Sequence, residues 1–421
     1  MSFVHEQQLE AAYVMPTFAR KPVELVRGEG MYAFDADGKA YLDFIAGIGV
    51  VSLGHCHPAL VEALCAQAAK LVHVGNYYYI ENRGEVARML CGLLSEDGGD
   101  NEDESVPAPG QGTSLDQGRT SWKTFFANSG AEANECAIKL ARLFAKNAGR
   151  PGRKIVALER SFHGRTLVAL AATGQAAKQE AFQPLPTGFI HVPVNDIPTL
   201  EALFQRESDD ICAVMVECVQ GESGVHPCSH EFLEAAQRLA HRCGALLICD
   251  EVQSGIYRCG EKPFAFQHYG LHPDIVTIAK GVASGFPTGM CSARSEVADA
   301  FSPGDHGTTF GGSSLAMAAA KATLETLANA PFRGNIEATG AYLREGLSGL
   351  PHVEEVRGIG LMCACDLGDG LSAFELAEKG LEEGLLLNAT GSKTLRFLPP
   401  LICEEQHIDA LIEGLRKILS P

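Results

Sequence analysis

Tryptophan occurs once in 421 residues, and no apolar stretch approaches the length of a membrane span. Positive charge is also scarce: 34 Lys plus Arg stand against 52 Asp plus Glu, a net charge of −18. A surface of that sign repels nucleic-acid phosphates and anionic lipid, so neither is an expected partner. Small anionic substrates stay compatible with it, because a few buried arginines set the local potential. No C-x-x-C pair occurs among the 14 cysteines, many of which lie in apolar runs such as LLICD and ICAVMVEC. That pattern predicts buried free thiols in a reducing cytoplasm rather than disulfides. His55-Cys56-His57 is the nearest thing to a metal cluster, but adjacent ligands on a turn rarely converge on one ion, and no metal is expected. The opening MSFVHEQQLEAAYV has no basic segment followed by an apolar run, so no secretion signal is read there. The absence of a G-x-G-x-x-G after a strand argues against a dinucleotide-dependent dehydrogenase.

What is present is a chain too long for one compact core, which suggests two or three lobes. MYAFDADGKAYLD (31–43) reads as a hairpin around an Asp-Gly turn. A helix should begin at Pro58, a residue suited to the first helical turn. SEDGGDNEDESVPAPGQGTSLDQGRTS (95–121) is acidic, then rich in Pro, Gly and Ser, and cannot bury a core; it is expected to be a tolerated surface loop insertion. From 122 to about 300, β-rich runs (KTFFA, KIVAL, GFIHV, CAVMVE, ALLIC, DIVTIA) alternate with helix-like segments, which predicts a mostly parallel sheet covered by helices. An Ala-rich helix, SLAMAAAKATLETLA, leads into a mixed tail. The expected division is an N-terminal segment 1–60 that belongs to a small domain, a large domain 61–315, and a small C-terminal domain 316–421.

Ligands of such sheets bind at the carboxyl ends of the strands. Three segments place chemistry there. After KTFFA, Ser129 and Gly130 open a helix whose apolar stripe is Ala137, Leu140, Ala141 and Phe144. Its unpaired first amides make a seat for a phosphate, and Gly130 lets an anion approach the backbone. Glu132 and Glu135 would repel that anion unless they share a face turned away. After ALLIC, Asp250 can hold a protonated pyridine nitrogen. After PDIVTIA, Lys280 is a desolvated amine able to attack a carbonyl. Taken singly, these residues also read as a capped helix, a loop ion pair and a snorkelling lysine. As a set at one sheet edge, they supply the three handles of pyridoxal 5′-phosphate. Phe162 and Arg165 in SFHGR, and Thr309 in HGTTFGG, add a ring cover, a carboxylate ligand and a hydroxyl.

At these residues the chain resembles the class III aminotransferases of fold type I, and among them the acetylornithine aminotransferases. NSGAEANE, SFHGRTL, HVPVND, QGESGV, DEVQSGIYRCG, PDIVTIAKG, GDHGTTFGG, VRGIGLM and LRFLPPL follow in the family's order from about residue 20 to the end, the 95–121 insert apart. The resemblance implies an α/β fold: a large domain with a mostly parallel seven-stranded sheet and a smaller α+β C-terminal domain. It implies that Lys280 bonds the cofactor, Asp250 pairs with its ring nitrogen, Val252 and Gln253 lie against the ring, Phe162 stacks on it, and Gly130 and Ala131 bind its phosphate. Thr309 matches a residue that reaches the partner subunit's cofactor, which implies a homodimer. Arg165 matches the arginine that holds the acylated substrate, Thr308 stands where the family usually has Ser, and Arg396 matches a carboxylate-binding arginine paired with the acid at Glu222. The implied substrates are N-acetylornithine and 2-oxoglutarate, with N-succinyl-diaminopimelate as a further donor. Ornithine, succinylornithine and 4-aminobutyrate aminotransferases are the rival readings, and a non-catalytic binder of the cofactor is the remote one. Glu217-Cys218 for the usual Glu-Pro, Ser223, Ala283-Ser284-Gly285 after the lysine, and Ser313-Ser314 are departures from the pattern.

Overall fold

The computed structural model describes residues 3–95 and 121–420. The expected insertion falls almost entirely outside them; the hydroxyls of Ser95 and Ser121 at its two ends lie 3.1 Å apart.

Each of the six β-rich runs forms a strand of one seven-stranded sheet. Its order is Trp122–Ala127, Gly289–Arg294, Ile275–Ile278, Leu246–Asp250, Ile211–Val216, Lys154–Leu158, Phe189–Val192. The last five are mutually parallel. Gly289–Arg294 runs antiparallel to both of its neighbours. That strand, GMCSAR, has no β-branched residue and went unread in the sequence. Its smallness has a local cause: a Cβ on Gly289 would stand 2.1 Å from the Ser129 carbonyl oxygen. Successive residues of each strand face opposite sides. Val214, Val216, Leu247, Cys249, Val276 and Ile278 join one core, while Ala213, Met215, Leu246, Ile248 and Ile275 join the other. Both faces are therefore apolar, and the strands read as continuous hydrophobic runs.

The 31–43 hairpin forms strands Tyr32–Asp35 and Ala40–Asp43, with Gly38 at φ +86° in the turn. Leu385–Leu386 pairs in parallel with Ala40–Asp43, so the N-terminal strands are completed from the far end of the chain. The tail builds a four-stranded antiparallel sheet (Val353–Ile359, Met362–Leu367, Thr394–Phe397, Asn388–Ala389) with helices Ala373–Glu382 and Glu405–Leu419. All 14 cysteines are unpaired. Among the described residues no helix is long and apolar enough to cross a membrane, and no group of His, Cys, Asp or Glu is arranged to hold a metal ion.

Candidate active site

A cavity of about 430 Å³ opens at the carboxyl ends of the parallel strands. Its walls include Gly130, Ala131, Phe162, Arg165, Glu222, Asp250, Val252, Gln253 and Lys280. Residues from five separate strand-end loops thus converge on one space, as the sheet topology requires.

The phosphate seat is the start of helix Gly130–Asn147. Ser129 caps it, accepting from the Glu132 amide at 3.2 Å, and the Glu132 carboxylate reaches back to the Asn128 amide at 2.6 Å. This reciprocal closure satisfies one donor in the first turn and one ahead of the helix. Neither Glu132 nor Glu135 lines the cavity, and both carboxylates are held by hydrogen bonds. Glu132 is bound back on its own turn, and Glu135 accepts from the Thr166 hydroxyl at 2.6 Å and the Ala169 amide at 3.3 Å. A Cβ on Gly130 would stand 2.6 Å from Val252 Cγ1, so only glycine leaves this wall open. Gly130→Ala should weaken pyridoxal phosphate binding at least about tenfold, because valine has no flexible end to yield. Titration of the apoprotein by absorbance measures that loss, and an unchanged dissociation constant would dissociate Gly130 from the seat.

Asp250 closes the strand Leu246–Asp250 and is buried. Its Oδ2 accepts from Asn134 Nδ2 at 2.8 Å and lies 2.7 Å from His163 Nδ1; its Oδ1 accepts from the Val252 amide at 3.0 Å. Burial opposes a charge on His163, but the bond to Asp250 together with the charges of Asp250 and Glu217 raises the imidazole pKa above the usual value. Asn134 also donates to the His163 carbonyl at 2.7 Å, and Thr173 Oγ1 accepts from the His163 amide at 2.9 Å. The carboxylate is thus fixed before any ligand arrives. Glu217, equally buried, accepts from the Phe162 amide at 2.9 Å and so sets the loop that carries the Phe162 ring. Burial pushes its carboxyl up to about 7, with His163 pulling it down and Asp250 pushing it further up.

Lys280 follows the buried strand Ile275–Ile278 and takes φ +44°, a left-handed backbone that costs a non-glycine residue of order 1 kcal/mol or more. The conformation is held from outside: Ser52 Oγ donates to the Gly281 carbonyl at 2.7 Å, and the Leu53 amide donates to Ser284 Oγ at 3.0 Å. The amine of Lys280 forms no hydrogen bond or ion pair with the described residues. Burial lowers its pKa, partly countered by Glu222 and Asp250. A lowered pKa makes the unprotonated amine, the form that attacks a carbonyl, easier to reach.

Arg396, also buried, is tied down by Asn388 Oδ1 (2.8 Å), the Gly221 carbonyl (3.0 Å), Glu222 Oε1 (2.7 Å) and Gln253 Oε1 (3.2 Å). Burial alone would raise the Glu222 pKa, but Arg396 and then Lys280 hold it down at about 2. Gln253 donates to Glu222 at 3.0 Å, so its amide serves this ion pair. Thr308 and Thr309 are not in the cavity wall. Thr308 Oγ1 accepts from Asn128 at 3.3 Å, and Thr309 is exposed. Asn134, His163 and Glu217 were given no role from the sequence. Asn134 carried a signal: it falls on the stripe of Ala137 and Ala141, where a polar residue is out of place unless partnered.

The site fits pyridoxal phosphate on three counts observed here: an unpartnered amine, a fixed carboxylate across the same cavity, and a helix start that admits only glycine. This is the fold and site of a pyridoxal-phosphate-dependent transferase. The family model described as aminotransferase class-III matches residues 15–419, and the chain belongs to the class III aminotransferases. It is 45% identical over 416 residues to the acetylornithine aminotransferase of Caldanaerobacter subterraneus subsp. tengcongensis, covering 98% of each chain. It is 43% identical to that of Methanocaldococcus jannaschii, covering 98% of this chain and 97% of the other. Among solved structures, the ornithine aminotransferase of Toxoplasma gondii matches with a TM-score of 0.87 at 29% identity, covering 99% of this chain and 95% of that one. The acetylornithine aminotransferase of Elizabethkingia anophelis matches with a TM-score of 0.83 at 30% identity, covering 100% and 99%.

Proposed function

We propose that the chain is an N-acetylornithine:2-oxoglutarate aminotransferase, converting these substrates to N-acetylglutamate 5-semialdehyde and glutamate in arginine synthesis. The observation that carries this reading is the near-full-length identity of more than 40% to acetylornithine aminotransferases, joined to a cavity walled by Arg165 and by Glu222, the acid paired with Arg396. N-succinyl-diaminopimelate is a further donor of the same acylated kind.

When bound, pyridoxal phosphate supplies an aldehyde for the amine and an electron sink for the charge left on the substrate carbon. Gly130, Ala131 and the helix start would hold its phosphate, Phe162 and Val252 its two faces, and Asp250 its ring nitrogen. Lys280 would hold it covalently and then take the proton from the substrate carbon at Nζ, delivering it as general acid to the cofactor carbon that had borne the aldehyde. Asp250 keeps the ring nitrogen protonated, with His163 and Asn134 fixing the carboxylate. Arg165 takes the carboxylate at the acylated end of the donor. Glu222 covers Arg396 for the donor and turns aside when the second carboxylate of 2-oxoglutarate arrives. Held at about 2, Glu222 remains an anion, and its pairing persists, at every pH at which the protein would be assayed.

The working unit is a homodimer in the cytoplasm, with Thr309 serving the partner's cofactor. Support comes from the surface around Thr309. Tyr77 and Tyr79 are fully exposed and Phe310 is 61% exposed. Asn76 donates to the carbonyls of Thr308 (2.8 Å) and Gly311 (3.3 Å), joining these aromatics into one patch of the kind a second copy covers. The unpaired thiols suit a reducing compartment.

The structural likeness to ornithine aminotransferases favours free ornithine as the rival donor. Steady-state rates with N-acetylornithine, ornithine, N-succinylornithine and 4-aminobutyrate, each with 2-oxoglutarate, decide between them. The acylated donor is expected to have the highest kcat/KM, by tenfold or more over ornithine, which is about 1.4 kcal/mol of transition-state binding. Preference for ornithine would overturn the assignment.

A further inference from the structure

Two cations stand over the ring of Phe162, an aromatic residue of the cavity wall. The Arg165 guanidinium lies 5.6 Å, and the Lys178 ammonium 6.0 Å, from the centre of the Phe162 ring. Lys178 sits on the short helical turn Ala176–Gln179, is half-buried, and donates to Gln175 Oε1. Neither cation forms an ion pair with a carboxylate of the described residues. Glu222, the acid in the same cavity wall as Arg165, is already committed to Arg396. Two like charges held together without a neutralising partner leave an excess of positive potential at this end of the cavity. Burial and the neighbouring Arg165 lower the Lys178 pKa, and Glu222 counters them.

We propose that Lys178 is a specificity residue: with Arg165 it reads the carboxylate beside the acylated nitrogen and repels donors whose second amine is free. The inference rests on the N-acylornithine reading above. An N-acyl amino acid presents a carboxylate and a neutral amide to this rim, so both cations gain. A free diamino acid brings an ammonium to the same place, and a second fixed cation works against it. Discrimination by an unfavourable charge contact complements attraction for the right ligand.

The test uses Lys178→Gln and Lys178→Arg holoenzymes. With N-acetylornithine, the glutamine variant should raise KM about tenfold, the loss falling on KM rather than kcat, while KM for ornithine stays level or drops. The arginine variant should restore the acyl preference. Calorimetry with N-acetylnorvaline, which keeps the acylated carboxylate end and lacks the reacting amine, gives a readout independent of turnover. Its dissociation constant should rise about tenfold in the glutamine variant, and that of free norvaline should not rise. Wild-type enzyme that uses N-acetylornithine well, together with a glutamine variant of unchanged donor ratio and unchanged N-acetylnorvaline binding, would overturn the role of Lys178 alone. A wild type that neither binds N-acetylnorvaline nor turns over any N-acylornithine would overturn the reading beneath it.

Discussion

Lys280→Ala should lower kcat by at least ~10²-fold, the low end for losing a general acid–base, and should abolish borohydride-stable attachment of pyridoxal phosphate. Two capacities vanish together because one atom provides both the covalent link and the proton transfer. The protein should still fold, since the amine makes no contact with the described residues that its loss would leave unsatisfied. Removal of a non-glycine side chain at φ +44° also leaves the backbone cost essentially where it was. Lys280→Arg should be nearly as damaging: a guanidinium stays protonated and offers no free electron pair. Mass spectrometry of the borohydride-treated protein and a single-turnover assay measure both effects. A variant that retains either the adduct at another residue or the wild-type rate would remove Lys280 from the centre of the site.

Asp250→Asn should cost on the order of 10²- to 10³-fold in kcat, the range seen when one preorganised electrostatic contact to a developing charge is deleted. The shape is conserved, but the charge that holds a ring nitrogen protonated is gone. His163 loses the partner that keeps its pKa raised. An NMR titration of His163 should therefore show its pKa falling in the variant, while the cofactor still binds through Lys280 and the helix start. Full activity in Asp250→Asn, or an unmoved His163, would contradict the coupling.

Lys280 and Asp250 were legible because each is a charged residue set directly after a buried apolar run, a conflict that local pattern exposes. The six strands read from the sequence were legible as apolar, β-rich runs, the pattern that burial on both faces of a sheet produces. Gly289–Arg294 was not, because it carries no β-branched residue and its first position must be glycine beside the Ser129 backbone. His163 and Asn134 meet Asp250 across 87 and 116 residues of sequence, a distance over which periodicity carries no information. Gln253 was read as a ring neighbour, and its amide turns out to bind Glu222 and Arg396.

Leu42 is paired with Leu385, a separation of 343 residues. On a ribosome adding roughly 5–20 residues per second, the strand Ala40–Asp43 emerges about 20–70 s before its mate exists. During that interval its edge can hydrogen-bond to another chain. Translation speed and chaperone supply should therefore govern the yield of this protein more than the stability of the finished fold, and a nascent chain stalled before residue 385 should aggregate where the completed one does not.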